Sequence, residues 1–232
     1  MTNTLPRFLL GLTLAAALAL SACTGSDSED SEQSPSDVLA EAKANLDETS
    51  GVHVVLSTEK LPSGVNGIVS ADGIGTHAPS FEGNLKVSAA GITADAGVVA
   101  VDDVVYAMLP FTTKFVEIDA QDYGAPDPAE LMGTEEGLSS LLTAAEDVEE
   151  GEQERDGETV LATYSGSVPG DSVSSIIPSA SAQGTFDATF TLTEDVELNE
   201  AVLTGPFYPG SADVTYTIEF DEYGTEKEIT AP

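Results

Sequence analysis

Apolar and polar residues alternate with a period of two through most of this chain, and this pattern constrains its fold more than any other feature. The clearest runs are 186–193 and 214–220, where an apolar residue occupies every second position. Successive side chains of a β-strand point to opposite faces, so the pattern predicts strands with one buried and one solvated face. Such strands are typical of antiparallel sheets, because parallel sheets are usually buried on both sides.

Further strand-like runs occupy much of the first two thirds of the chain. They are 52–57, 67–75, 81–89, 91–101, 104–109, 113–118 and 158–167. Short turns such as Ala90-Gly91 and Asp102-Asp103 connect some of them, which predicts antiparallel neighbours joined by hairpins.

Three amphipathic segments interrupt the alternation and predict helices. The first spans about 37–49 with Ser36 as its N-cap, and the second begins at Asp127-Pro128-Ala129-Glu130. The third is a short helix from Asp171 that Pro178 ends. Their apolar stripes must be covered, and the apolar face of the sheet is the obvious partner. The sequence therefore predicts an α+β fold, a large curved antiparallel sheet with helices on its concave side.

The N-terminus predicts where the protein is located. Residues 1–22 have Arg7 and then a 13-residue apolar run, 8–20, which suits a signal peptide and is too short for a transmembrane helix. The run ends in Leu20-Ser21-Ala22-Cys23, which resembles the bacterial lipobox. An ordinary secretory signal with a chance cysteine is the alternative. Because Cys23 is the only cysteine of the chain, we expect it to be acylated and to anchor the protein on the extracytoplasmic face of the cell membrane.

The segment that follows the cysteine is polar and acidic. Residues 24–35 contain no hydrophobic residue and four acids, so we interpret 23–36 as the acylated cysteine and a disordered tether. About 12 residues at roughly 3.3 Å each would hold a domain up to about 40 Å from the membrane. No internal linker divides the remainder, so 37–232 is predicted to be a single domain.

Charge and composition exclude several classes of function. The chain has 41 Asp+Glu against 7 Lys+Arg, a net charge of −34, so nucleic-acid binding is not expected. Catalysis is not expected either, because the sequence has no Gly-x-Ser-x-Gly motif and only two histidines, His53 and His77. These histidines and one cysteine predict no metal site and no cofactor. A pair of carboxylates acting as a glycosidase is the remaining enzymatic alternative.

The apolar residues of the predicted strands are small. Val, Ala, Ile, Thr and Gly dominate, aromatic residues make up 6% and tryptophan is absent. Either the sheet and helices pack tightly, which composition alone favours, or a cavity remains that an apolar ligand could fill.

Several segments form a distinctive series in order and spacing. They are the lipobox at Cys23, Ser50–Leu56, Gly83–Val87, Val105-Tyr106-Ala107, Asp127–Leu131, Gly137-Leu138 with Leu141-Leu142, Tyr164–Val168, and Tyr223-Gly224 with Ile229–Pro232. Together they resemble the LppX/LprAFG family of lipid-binding lipoproteins of mycobacteria and related actinobacteria. The resemblance covers the chain from about residue 37 to its end. It implies a half-barrel similar to the LolA/LolB carriers, with a hydrophobic cavity that binds acyl chains of envelope lipids or glycolipids.

The resemblance also implies which residues and partners serve that function. The cavity-lining candidates are Val54, Leu56, Leu85, Val87, Leu138, Leu141, Leu142, Val173, Ile176 and Ile177. The expected partners are an acylated lipid or glycolipid, the plasma membrane through acylated Cys23 and, in some cases, a membrane permease; the protein itself is expected to be a monomer. The implied role is lipid transport between the plasma membrane and the outer envelope. The alternative is a non-enzymatic envelope module with a filled core that binds a protein or glycan.

Overall fold

The computed structural model describes residues 33–232 except for Ala90, Phe111, Gly124, Glu158 and Pro209. The predicted signal peptide, Cys23 and most of the predicted tether lie outside the described residues. The described part falls within the compact unit Gln33–Pro232. This unit contains its own hydrophobic core, as an independently folding domain does.

Eleven strands and three α-helices are described in this unit. The strands are β1 Gly51–Ser57, β2 Gly67–Thr76, β3 Ser80–Ala89, β4 Ile92–Val101, β5 Val104–Met108, β6 Val116–Ile118, β7 Glu146–Asp156, β8 Thr159–Pro169, β9 Thr185–Leu192, β10 Leu198–Gly205 and β11 Val214–Asp221. The helices are α1 Pro35–Glu48, α2 Ser140–Ala144 and α3 Gly170–Ile176, with 3₁₀ turns at Ala120–Tyr123 and Glu130–Met132.

All eleven strands form one antiparallel sheet in the order β6-β5-β4-β3-β2-β1-β11-β10-β9-β8-β7. Each half of the sheet is a meander of neighbours in sequence, and the pairing of β1 with β11 joins the halves. This open antiparallel sheet with few helices confirms the predicted α+β fold class.

The register of the strands gives the sheet a continuous apolar face, here called the inner face. Val54 of β1 lies opposite Phe220 of β11 and Gly73 of β2, and one row further along Leu56 lies opposite Ile218 and Ala71. Because side chains alternate, these rows share one side of the sheet. The helices pack on this face, where Leu39, Ala42 and Leu46 of α1 join the strand residues in one core.

Helix α1 begins two residues earlier than the sequence predicted. Ser34 is the N-cap, not Ser36: its Oγ accepts a hydrogen bond from the Asp37 backbone N–H at 3.2 Å. Pro35 then occupies the first turn, where its fixed φ fits the helix and its missing N–H costs nothing.

The prediction of one long helix from Asp127 was wrong. The chain makes a 3₁₀ turn at Glu130–Met132, leaves helical geometry at Gly133 and resumes as α2 only at Ser140. Gly137 packs closely against the Gly133 carbonyl, and a Cβ on Gly137 would lie 2.0 Å from the carbonyl oxygen. A continuous helix does not bring these two groups so close together. The Leu138 N–H instead donates to the Leu131 carbonyl at 2.9 Å and closes this loop.

Two strands were not predicted. Strand β7 carries seven acidic residues among its eleven and lies at the edge of the sheet, where charged side chains deter pairing with another chain. Strand β10 lacks a clean alternation because the register shifts between Leu198 and Glu200, which reverses the side-chain phase across the irregularity.

Candidate functional site

Two apolar cavities lie between the inner face and the segments that cover it, each with a volume of about 50 Å³. The first cavity is lined by Leu56, Ile68, Pro126, Leu131, Leu138, Leu141, Ile177, Ser179, Leu203, Phe207, Tyr208, Tyr216 and Ile218. The second cavity is lined by Leu85, Val87, Ala96, Val98, Val105, Ala107, Leu109, Ile118, Ala120, Ala125, Pro126 and Pro128. Nearly every lining side chain is a hydrocarbon, so both cavities suit apolar groups.

The polar atoms near the first cavity are paired with one another. The Tyr216 hydroxyl donates to the Ile68 carbonyl at 2.8 Å, and the Tyr208 hydroxyl lies 2.9 Å from the Tyr216 hydroxyl. Because the Tyr216 proton is directed to the carbonyl, Tyr208 is the donor between the two phenols. Burial raises the pKa of Tyr216. The pair therefore stays neutral and presents aromatic carbon to the cavity.

The second cavity lies over strands β3 to β6 of the sheet. Leu85 lies opposite Ala96 in the register, and Val98 lies opposite Ala107. The small alanine side chains leave space that larger residues would fill. Ala125 and Pro128, from the connection between β6 and α2, cover this space.

Pro126 lines both cavities and therefore lies between them. On either side of it, the Ala125 N–H donates to the Ala120 carbonyl at 3.2 Å, the Leu131 N–H donates to the Asp127 carbonyl at 3.3 Å, and Asp127 Oδ1 accepts from the Ala129 N–H at 2.8 Å. Pro126 itself has no N–H to bond to a neighbour.

Residues 125–134, here called the covering segment, approach the sheet closely at a glycine. A Cβ on Gly75 would lie 2.5 Å from Met132 Sδ, so the absence of a side chain at Gly75 lets Met132 approach β2. A hydrogen bond from His77 Nδ1 to the Met132 carbonyl at 2.8 Å fixes the same residue. Lys43 of α1 donates to the Thr134 carbonyl at 2.7 Å, which ties the segment to the first helix.

The size of each cavity limits what it can contain in this conformation. An enclosed apolar cavity of about 150 Å³ holds a benzene molecule, about three times the volume of either cavity here. A complete acyl chain therefore fits only if the covering segments move away from the sheet or the two cavities join.

The structure distributes the predicted lining residues over three places. Leu56, Leu138, Leu141 and Ile177 line the first cavity, whereas Leu85 and Val87 line the second. Val54, Leu142 and Val173 are buried in the core and line neither cavity, and Ile176 borders two polar clefts. Which of these residues contact a ligand stays a prediction.

Several lining residues were not among the sequence candidates. Tyr216 and Ile218 alternate on β11 and could have been found from that pattern, as could Ala96 and Val98 on β4. Pro126 had no such signal, because its position depends on how an irregular connection folds back over the sheet.

A polar cleft of about 280 Å³ adjoins the second cavity. The two share Val105, Ile118, Ala120 and Pro126. The carboxylates that line the cleft are Asp103, Glu117, Asp119, Asp127 and Glu130. The cleft is therefore rich in hydrogen-bond acceptors and strongly negative.

The described residues contain no cluster of three or more His, Cys, Asp and Glu placed to hold a metal ion. Within the same residues, none of the helices has the length and apolar character needed to cross a membrane. His53 lies on the outer face of the sheet, where Nδ1 is 2.7 Å from Asp221 and Nε2 is 3.2 Å from Asp72.

Comparison with known proteins gives a family and a fold. The LppX_LprAFG lipoprotein family model matches residues 34–231. The structure is similar to LprF from Mycobacterium bovis, with a TM-score of 0.68, 15% identity, and coverage of 85% of this chain and 96% of that one. It is also similar to the lipoprotein LppX from Mycobacterium tuberculosis, with a TM-score of 0.60, 16% identity, and coverage of 84% and 98%. No curated protein sequence matches the chain significantly.

Proposed function

The chain belongs to the LppX_LprAFG lipoprotein family, and on that premise we propose that it binds acyl chains of envelope lipids or glycolipids. It carries them between the plasma membrane and the outer envelope, as a monomer. Acylated Cys23 anchors it to the extracytoplasmic face of the membrane, and a membrane permease is the proposed partner. It is not an enzyme in this proposal.

The observation that supports this proposal most strongly is the pair of apolar cavities that share Pro126. Displacement of the Pro126 segment would join them along the inner face of the sheet. The linear apolar space so formed suits a hydrocarbon chain better than a compact ligand. Burial of each methylene contributes about 0.8 kcal/mol, so a dozen would supply roughly 10 kcal/mol before the cost of opening.

The acidic cleft beside the second cavity supports a particular class of headgroup. Carboxylates such as Glu117 and Asp127 accept hydrogen bonds from hydroxyl groups and repel phosphate. We therefore propose an uncharged, hydroxyl-rich headgroup, as in a glycolipid, in preference to an anionic phospholipid headgroup.

The small cavity volumes favour one alternative. With only about 50 Å³ in each cavity, the inner face could be a filled core, and the protein could then bind a protein or glycan through its surface.

Substitution of Leu85 by tryptophan separates the two functions. If the second cavity receives an acyl chain, the Leu85→Trp variant stays folded and takes up at least tenfold less lipid from vesicles, because the indole occupies the space. If the core is filled, the larger side chain destabilises the fold by about 1–3 kcal/mol, as overpacking does. Val55→Trp is the matched control, since Val55 is half-buried on the opposite face of the sheet. Normal lipid uptake by a stable Leu85→Trp variant would contradict a role for the second cavity.

A further inference from the structure

We propose that the protein docks on a lipid bilayer through one end of strands β3 to β6. The docking rim is the set Ala89, Ile92, Met108, Leu109 and Val116. The inference rests on the proposed function, since it identifies the surface through which a lipid would leave the bilayer and reach the second cavity.

The rim exposes large hydrophobic side chains to solvent. Ile92 is 70% exposed, Val116 45% and Met108 36%, and these are the exposed large hydrophobic residues of the described part of the chain. Exposed apolar side chains at one end of a sheet point to a surface that is covered in function.

The strand register places these residues at the same end of the sheet. Ala89 and Ile92 pair at the tip of the β3–β4 hairpin. Met108 ends β5 and Val116 begins β6, so the β5–β6 connection turns at that end as well. The rim is therefore formed by the ends of two adjacent hairpins. Because Met108 pairs with Gly97, the β3–β4 tip with Ile92 extends five residues, about 16 Å, beyond the β5–β6 end. Ile92 and Val116 belong to the inner face, whereas Met108 belongs to the outer face.

The rim is continuous with the second cavity. Leu85 pairs with Ala96, Val87 with Ala94, and Ala89 with Ile92. Positions two apart in each strand share a face, so these pairs form an apolar strip on the inner face. Along it, exposure rises from buried Leu85 through half-buried Val87 to exposed Ile92. An acyl chain could follow this strip of about 13 Å, four residues long, without entering water.

The charge of these loops differs from that of the rest of the chain. Residues 87–94 contain no charged residue, and residues 104–116 contain no acid and one lysine, Lys114, in a chain with 41 acids. Lys86 is 46% exposed beside the strip, 3.8 Å from Asp95. The acids that would repel anionic headgroups are therefore absent from the two loops that form the rim.

A bilayer suits this surface better than a second copy of the chain does. Two molecules that each carry a net charge of −34 repel one another, whereas a zwitterionic bilayer does not. Three exposed hydrophobic side chains also form a smaller patch than a stable dimer requires. The membrane anchor proposed at Cys23 would keep the domain close to a bilayer at high effective concentration.

The absence of tryptophan from the chain allows a direct test. The chain from Thr24 onward carries six histidines in place of Cys23 and is tethered to phosphatidylcholine vesicles that contain a nickel-chelating lipid and a lipid brominated on its acyl chain. The Ile92→Trp variant reports from the rim. Glu194→Trp is the matched control, because Glu194 is exposed in the turn between β9 and β10 at the opposite end of the sheet.

We expect the bromolipid to quench at least half of the Ile92→Trp emission, with a blue shift, and to leave the Glu194→Trp emission unchanged. Equal quenching of the two variants would overturn the docking rim. A blue shift of the Ile92→Trp emission without vesicles, growing with protein concentration, would identify a second copy as the occupant and would also overturn it.

The same preparations separate this inference from the proposed function. Lipid bound to the protein, detected by native mass spectrometry, together with unquenched Ile92→Trp emission would leave lipid binding intact and reject the rim. Quenched emission from a protein that never contains lipid would keep the rim and reject the carrier.

In a carrier that uses the rim, we expect Ile92→Asp to slow lipid uptake at least threefold and to leave the final amount of bound lipid unchanged. An unchanged uptake rate would count against the rim.

Discussion

At the scale of single residues, His53 shows how a side chain outside the core can still couple strands. It bridges Asp72 on β2 and Asp221 on β11 from its own position on β1. Burial alone lowers the pKa of His53, but the hydrogen bonds that its ring makes to the Asp72 and Asp221 carboxylates outweigh burial, and the pKa is raised overall. The bridge therefore spans the junction between the two halves of the sheet.

The raised pKa predicts the direction of a pH effect on stability. A histidine with a raised pKa stabilises the fold fully below its unfolded-state pKa of about 6.5, and the contribution is lost as pH rises through the folded pKa. At pH 5.5 we expect the free energy of unfolding of wild type to exceed that of His53→Gln by up to about 1 kcal/mol. The difference stays this small because both carboxylates are exposed and solvent screens their attraction to the imidazolium. The difference should shrink by pH 8.5 in urea titrations.

A matched background shows whether the bridge causes this effect. In a protein with Asp72→Asn and Asp221→Asn, neither neighbour of the imidazole carries a charge, so His53→Gln should change the free energy of unfolding by a similar amount at pH 5.5 and pH 8.5. Equal pH dependence of the His53→Gln effect in the two backgrounds would contradict the bridge.

At the scale of secondary-structure elements, the covering segment depends on glycine as much as on hydrophobic side chains. Gly75→Ala would place a Cβ against Met132 and lift the 3₁₀ turn from β2. We expect a loss of about 1–3 kcal/mol in the free energy of unfolding, the cost of overpacking a close contact. Chemical denaturation measures it.

Gly97→Ala is the control for that substitution. A Cβ at Gly97 would meet its nearest neighbour, the Met108 methyl group, at 3.5 Å, an ordinary contact. Its stability should therefore stay within about 0.5 kcal/mol of wild type. If both variants lose the same stability, the close seating of Met132 on Gly75 is not what holds the segment.

The acidic side chains of edge strand β7 protect it from pairing with another chain. Replacing exposed Glu149, Glu152 and Glu154 by threonine would leave an edge strand with high β-propensity and less repulsion. We expect concentration-dependent association in size-exclusion chromatography. The same change at Glu135, Glu136 and Glu226, which are exposed outside the sheet, alters net charge equally and should leave the protein monomeric. Monomeric behaviour of both triple variants would show that the edge needs no such protection.

The sequence predicts elements well where local pattern and tertiary structure agree. Strands β9 and β11 follow directly from alternation, because each has one buried and one exposed face. Strand β7 could not be found this way, since its pattern is acidic throughout and its strand conformation comes from pairing with β8. The broken helix after Asp127 has the same cause: the apolar spacing fits a helix, whereas the close packing of Gly137 on Gly133 excludes one.

For the candidate site too, the sequence predicts what local pattern determines and misses what depends on tertiary packing. Leu85 and Leu56 were predicted because the strand phase and the family resemblance both point to the inner face. The division of the interior into two small cavities could not be predicted, because it depends on the path of the Pro126 segment. The cavity volume, which decides between a carrier and a filled core, is a property of packing and not of pattern.

At the scale of the whole molecule, the distribution of charge complements the distribution of apolar surface. Residues 51–116, which form β1 to β5 and the start of β6, contain six acids and three lysines, whereas residues 117–158 contain fifteen acids and one arginine. The strands beneath the second cavity thus belong to a part of the chain that is nearly balanced in charge. Elsewhere the acids keep the protein soluble and discourage adhesion to anionic membranes.

Native mass spectrometry of the unit Gln33–Pro232, exported to a bacterial envelope behind a cleavable signal peptide and purified from it, is the sharpest test of lipid binding. We expect one lipid per chain, released by solvent extraction and regained from vesicles, with the Leu85→Trp variant carrying at least tenfold less. A protein that is free of lipid as purified and takes up none from vesicles would exclude lipid binding and identify the interior as a filled core.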